Sequence, residues 1–122
     1  MKILIVEDSG MMRKAISKVV ITTGFEPLLA ENGQEALKQL QENSSDVGLV
    51  IMDWNMPVMD GYEALIAIRA DQTFKDIPVL MATSEGIAED IQKATKAGAN
   101  GYMVKPFSMS DLSLKIKELI EA

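Results

Sequence analysis

The chain alternates between two kinds of apolar pattern, and that alternation restricts its fold more than any other feature. Five short apolar runs, at 3–6, 27–30, 48–52, 78–82 and 102–104, are separated by stretches whose apolar residues recur at helical spacing. Each run is too short for a helix, and most are apolar on both faces, as strands covered on both sides of a sheet must be. Between them, Met12, Ile16, Val19, Val20 and Thr23 follow the i, i+4, i+7, i+8 pattern and stop at Gly24. Ala36, Leu37 and Leu40 form a second stripe, opened by Asn32 with Glu35 three residues on, a capping-box arrangement. Tyr62, Leu65, Ile66 and Arg69 mark a third helix after Gly61, and Ile87, Ile91 and Ala94 a fourth that ends at Gly98. Leu112, Ile116, Leu119 and Ile120 mark a fifth, opened by Ser108 with Asp111 at its third position. A strand–helix unit repeated five times predicts an α/β fold: a parallel sheet with helices on both faces. The five units take up residues 1–122, so a single domain with no tethered output segment is expected.

Composition narrows the chemistry this scaffold can carry. The chain has no His and no Cys. Ser-His-Asp triads, imidazole bases, thiolate nucleophiles and His- or Cys-bound metals are therefore excluded. Any bound metal must be an oxygen-loving ion such as Mg²⁺, Mn²⁺ or Ca²⁺. Twelve Lys and Arg against 18 Asp and Glu leave a net charge of −6, which argues against nucleic acid and anionic membranes as partners. The apolar start meets Glu7-Asp8 after four residues, too short for a signal-peptide core, and no run approaches the ~18 residues of a membrane span. A cytoplasmic protein is expected.

In an open parallel sheet, ligands bind beyond the carboxyl ends of the strands, where the strand order switches. The first strand is followed by Glu7-Asp8, the third by Asp53, the fourth by Thr83-Ser84 and the fifth by Lys105-Pro106. The second is followed by Glu31-Asn32, which the helix cap explains. A lone loop acid is ordinarily solvated or caps a helix. Three carboxylates, a hydroxyl and an ammonium converging on one edge are not explained that way. The carboxylates repel one another unless a divalent cation lies among them. Mg²⁺ accepts few protein ligands and keeps several waters, and a lysine opposite it supplies a mobile point charge for a phosphoryl group. Such a set has the parts needed for phosphoryl transfer to an aspartate.

These residues carry a resemblance over the whole chain. Glu7-Asp8-Ser9 with Arg13, then Asp53-Trp54-Asn55-Met56-Pro57 and Met59-Asp60-Gly61, come first in order. Ala82-Thr83-Ser84, Ala97-Gly98-Ala99-Asn100-Gly101-Tyr102 and Lys105-Pro106-Phe107 complete the series. In order and at these spacings, the chain resembles the receiver domain of two-component response regulators, most closely the single-domain chemotaxis members. The resemblance implies a doubly wound, flavodoxin-like sheet with strand order 2-1-3-4-5. It implies Asp53 as phosphoacceptor, and Mg²⁺ held by Asp8, the Asp53 carboxylate and the Asn55 backbone carbonyl, with Glu7 acting through a water. Lys105 and Thr83 would hold phosphoryl oxygens, Thr83 and Tyr102 would form the switch, and Lys105–Pro106 would be cis. Glu7 departs from the family, where Asp is more usual at that position; the longer arm still permits coordination through water.

The implied function is a signalling switch rather than an enzyme with turnover: it takes a phosphoryl group, then loses it by slow self-hydrolysis. The partners implied are a sensor histidine kinase as donor, a downstream target such as the flagellar motor switch, and a phosphatase, with the chain itself a monomer. A His-free chain cannot supply its own phosphohistidine. The alternatives are a receiver in another phosphorelay, an inert receiver-like interaction module, and a Mg²⁺-dependent phosphatase or phosphotransferase. Phosphatases on related sheets usually place a nucleophilic Asp after the first strand and a second Asp two residues later, whereas this chain reads Asp8-Ser9-Gly10. A flavin-binding fold wants a hydroxyl- and Gly-rich loop there, and Glu7-Asp8 would repel its phosphate. Trp54 reads as a partly exposed aromatic beside the site. Tyr102 reads as either a half-buried strand aromatic or the switch, and Glu85 as either a solvated acid or a control on water access.

Overall fold

The computed structural model describes residues 1–121 and orders them as β1 (Lys2–Val6), α1 (Gly10–Thr22), β2 (Glu26–Ala30), α2 (Gly33–Asn43), β3 (Val47–Met52), α3 (Gly61–Ala70), β4 (Val79–Thr83), α4 (Ala88–Lys96), β5 (Gly101–Val104) and α5 (Met109–Glu121). The sheet runs β2-β1-β3-β4-β5 and every neighbouring pair is parallel, as expected. No described helix is long and apolar enough to cross a membrane.

The period of two along each strand divides the core. Leu4, Val6, Val50, Met52, Val79 and Met81 face one layer with Ala36, Leu40, Ala64, Leu65, Ile68 and Ala94 of α2, α3 and α4. Ile3, Ile5, Leu49, Ile51, Leu80 and Ala82 face the other, with Ile16, Val19 and Val20 of α1 and Leu112 and Ile116 of α5. Winding to β2 and then back past β1 to β3 places α1 and α5 on one face and the other three helices opposite. It also opens the crevice between β1 and β3.

The details depart from the sequence reading where tertiary contacts decide. β2 and β5 lie at the sheet edges, so Leu29 and Val104 are exposed rather than covered. Ile87 does not join the buried stripe of α4; it is the N-cap residue, 60% exposed, and Ala94 is the only side chain that helix buries. Asn32 caps α2 by accepting from the Glu35 amide at 2.9 Å, but the Glu35 carboxylate returns to the amide of Glu31 rather than Asn32. The full reciprocal box occurs on α3, between Asp60 and Glu63. Thr83 belongs to β4 as its last residue.

Candidate metal and phosphoryl site

Glu7, Asp53 and Lys105 each stand one residue beyond a strand, yet the sheet ladder still holds them. The Glu7 amide donates to Ala30 at 3.0 Å, the Asp53 amide to Val6 at 2.9 Å, and the Lys105 amide to Thr83 at 2.8 Å. Val6 and Met52 point into the α2–α4 layer, so the next residue on each strand, Glu7 or Asp53, points the other way. The sequence reading put these groups at one edge, and the ladder fixes them on it. Lys105 Nζ lies 3.1 Å from Glu7 Oε1 and 3.3 Å from Asp53 Oδ2, bridging the two acids. The Lys105–Pro106 peptide is cis.

Glu7, Asp8 and Asp53 each offer a carboxylate oxygen within 4.8 Å of the others. Glu7 is 3% exposed and Asp53 8%, whereas Asp8 is open to solvent. Burial first, and then the neighbouring Asp53 carboxylate, push Glu7 up to about 7 against the pull of Lys105. Glu7 Oε2 is buried without a hydrogen-bond partner. A buried carboxylate oxygen is costly to leave unpaired. One ammonium shared between two buried acids beside a third leaves excess negative charge, which suits a hard divalent cation held by oxygens.

The surrounding loops complete the crevice. The Trp54 amide donates to Asp53 Oδ1 at 2.7 Å, so one carboxylate oxygen is held by the backbone and the other by Lys105. Thr83 is wholly buried at the end of β4, and its Oγ accepts from the Glu85 amide at 3.3 Å. The Tyr102 hydroxyl donates to the Glu85 carbonyl, so both residues of the expected switch hold the same loop residue. Burial, then the charges of Asp90, Glu85 and Asp53, push the Tyr102 phenol up to about 12 and keep it a donor at neutral pH. The Asn55 side-chain amide donates to the Glu85 carboxylate across the mouth of the site. Beyond Asn55, the Met59 amide donates to Pro57 at 2.8 Å around Val58, whose φ of 70° is rare for a β-branched residue.

Three sets of contacts have no counterpart in the sequence pattern. Arg13 donates to the Glu7 carbonyl at 2.6 Å and lies 3.4 Å from the Glu31 carboxylate, tying the first loop to the second. Arg69, read only as part of the α3 stripe, donates to the Lys75, Ile77 and Gly98 carbonyls and to the Asn100 side chain. Tyr62 stacks on Trp54, with Lys93 above its ring. Each contact joins a helix to a loop or to another element, so no helical or strand spacing marks it.

The response regulator receiver domain family matches residues 3–117. The chain is a response regulator receiver domain. This receiver is 42% identical over 121 residues to the chemotaxis protein CheY1 of Helicobacter pylori, covering 98% of this chain and 97% of that protein. In three dimensions it is similar to the chemotaxis protein CheY4 of Vibrio cholerae, at a TM-score of 0.89 and 36% identity over 97% of both chains. The receiver domain of the sensor histidine kinase PA1611 from Pseudomonas aeruginosa is also similar, at a TM-score of 0.89 and 27% identity, with 99% of this chain and 98% of that one covered. That structure has a magnesium ion coordinated in the active site cleft.

Proposed function

We propose that this receiver is a phosphorylation-controlled switch in which Asp53 accepts a phosphoryl group from a partner phosphohistidine. The observation that carries the reading is the Lys105 ammonium between the Asp53 and Glu7 carboxylates, with Asp8 beside them and Glu7 Oε2 left without a partner. Asp8, the Asp53 carboxylate and the Asn55 backbone carbonyl would hold Mg²⁺, with Glu7 acting through a water. Bound there, the ion would neutralise charge on the transferring phosphoryl group. Lys105 balances the remaining oxygens, and the Trp54 amide orients Asp53 so that its free lone pair meets the phosphorus. An Asp53 oxygen–phosphorus bond forms as the phosphorus–nitrogen bond breaks, and the departing imidazole keeps the electron pair and takes a proton from solvent. Water later cleaves the acyl phosphate to restore the carboxylate and release phosphate; there is no turnover of a separate substrate.

Thr83 holds a phosphoryl oxygen in this reading, and its Oγ then leaves the Glu85 amide. Tyr102 bonds the carbonyl of that same residue, so the face formed by α4, β5 and α5 responds. The receiver acts as a monomer in the cytoplasm, takes its phosphoryl group from a sensor histidine kinase and is reset with the help of a phosphatase. Chemotaxis, with the flagellar motor switch as target, is the pathway we infer. Its support is the similarity to chemotaxis proteins of matching length, the chain covering 97% of the Helicobacter pylori relative. Radiolabelled acetyl phosphate with Mg²⁺ tests the acceptor: the wild type should take up label and Asp53→Asn should not. Equal incorporation by both would assign the acceptor elsewhere.

A further inference from the structure

The acceptor loop has a connection to α4 that bypasses both Thr83 and Tyr102. The Trp54 indole and Tyr62 ring are stacked with centroids 5.4 Å apart and planes 8° from parallel. Lys93 Nζ, on α4, sits 4.3 Å from the centre of the Tyr62 ring. The array therefore runs from α4, through the first turn of α3, to the residue after Asp53. At that end the Trp54 amide holds Asp53 Oδ1 at 2.7 Å, and the Trp54 carbonyl accepts from Gly61, next to Tyr62, at 2.8 Å. The other end is loosely held. α4 buries only Ala94, and its N-cap makes no side-chain hydrogen bond.

We infer that Lys93 and Tyr62 are positioning residues for the acceptor, setting the Asp53 carboxylate through the stacked Trp54 and so linking the placement of α4 to metal and phosphoryl binding. A cation over the face of a tyrosine is attracted by the ring quadrupole, and a parallel aromatic pair resists sliding. Together they hold the indole against α3 and limit rocking of the peptide that donates to Asp53. The link is reciprocal: whatever moves α4 changes the carboxylate, and occupancy of the carboxylate changes the hold on α4. This inference rests on the acceptor reading above.

Lys93 and Lys96 are both exposed on α4, and only Lys93 lies over the ring, which permits a controlled test with folded variants. Mg²⁺ is titrated by the emission of Trp54, the only tryptophan in the chain. Lys93→Met should weaken binding about two- to five-fold, the worth of a solvent-exposed cation over an aromatic ring, and should alter Trp54 emission before metal is added. Lys93→Arg should restore both readouts, and Lys96→Met should leave both at wild-type values. Simple loss of positive charge predicts the opposite sign, because either Met variant would then bind Mg²⁺ more tightly. Equal behaviour of the two Met variants, or tighter binding by Lys93→Met, would overturn the inference. A wild type that binds Mg²⁺ but takes no label from acetyl phosphate would sink the acceptor reading, while the affinity comparison still decides the array. Should the wild type bind no Mg²⁺ at all, the metal-free emission of the Lys93 variants against Lys96→Met decides it.

Discussion

The buried Glu7 carboxyl gives this receiver a stability that depends on pH in a direction opposite to that of an ordinary paired acid. Its ordinary value is 4.5, and burial beside Asp53 moves it to about 7 in the folded chain. Below 4.5 both folded and unfolded states hold the proton. Between 4.5 and about 7 the folded state keeps a proton that the unfolded state has released, so stability falls as pH rises. Above about 7 both are ionised and the whole cost stands. At ~1.4 kcal/mol per pH unit the window is worth roughly 3 kcal/mol. With about 2.1 cal/mol/K of unfolding entropy per residue, a 122-residue chain loses about 12 °C in Tm across it. Glu7→Gln cannot ionise, so the difference in Tm between variant and wild type, measured in chelator from pH 4.5 to 7.5, isolates this carboxyl. The variant should gain on the wild type through the window by about that amount. Parallel curves would refute the buried, proton-holding Glu7. If the site takes Mg²⁺ as proposed, the ion competes with the proton for the ionised carboxylates, so added Mg²⁺ should recover much of the wild-type loss above pH 7 and little at pH 5.

Two further predictions concern a close backbone approach beneath Asp53 and the carbonyls that Arg69 holds ahead of β4 and β5. A Cβ on Gly61 would lie 2.0 Å from the Asp53 carbonyl oxygen, a backbone atom that cannot swing aside. Gly61→Ala should therefore cost about 2 kcal/mol or more and weaken Mg²⁺ binding as Asp53 is displaced, checked by denaturant unfolding and Trp54 titration; wild-type values in both would contradict the close approach. Arg69→Met keeps the apolar stem but strands the Ile77 and Gly98 carbonyls, which accept from Arg69 at 2.8 Å and 2.7 Å. A loss of about 3 kcal/mol, seen as a lower denaturant midpoint at unchanged slope, is expected.

Much of the molecule was legible from local pattern because local physics sets it. Short continuous apolar runs make strands wherever both faces will be covered, and Asn32, Ser108 and Gly24 mark helix ends through their own hydrogen bonds or dihedral angles. Parallel strands require crossovers, and the functional edge then follows from the fold. Ile87 was misread because period cannot say whether a neighbour exists to cover a residue. α4 is loosely packed, and the residue meets solvent.

The repeated strand–helix order, the edge where Glu7, Asp8, Asp53, Thr83 and Lys105 gather, and the lack of any histidine to carry a phosphoryl group can all be read from the chain alone. Those are consequences of residue type and spacing along one chain. It takes the packed fold to bring Lys105 between Glu7 and Asp53, to bury Glu7 so that its carboxyl rises to about 7, and to let Lys93 reach the loop after Asp53 through Tyr62 and Trp54. Desolvation and stacking depend on what neighbouring elements bring within a few ångström. Glu7 and Lys105, separated by 98 positions in the chain, meet only when β1 and the end of β5 share one sheet edge.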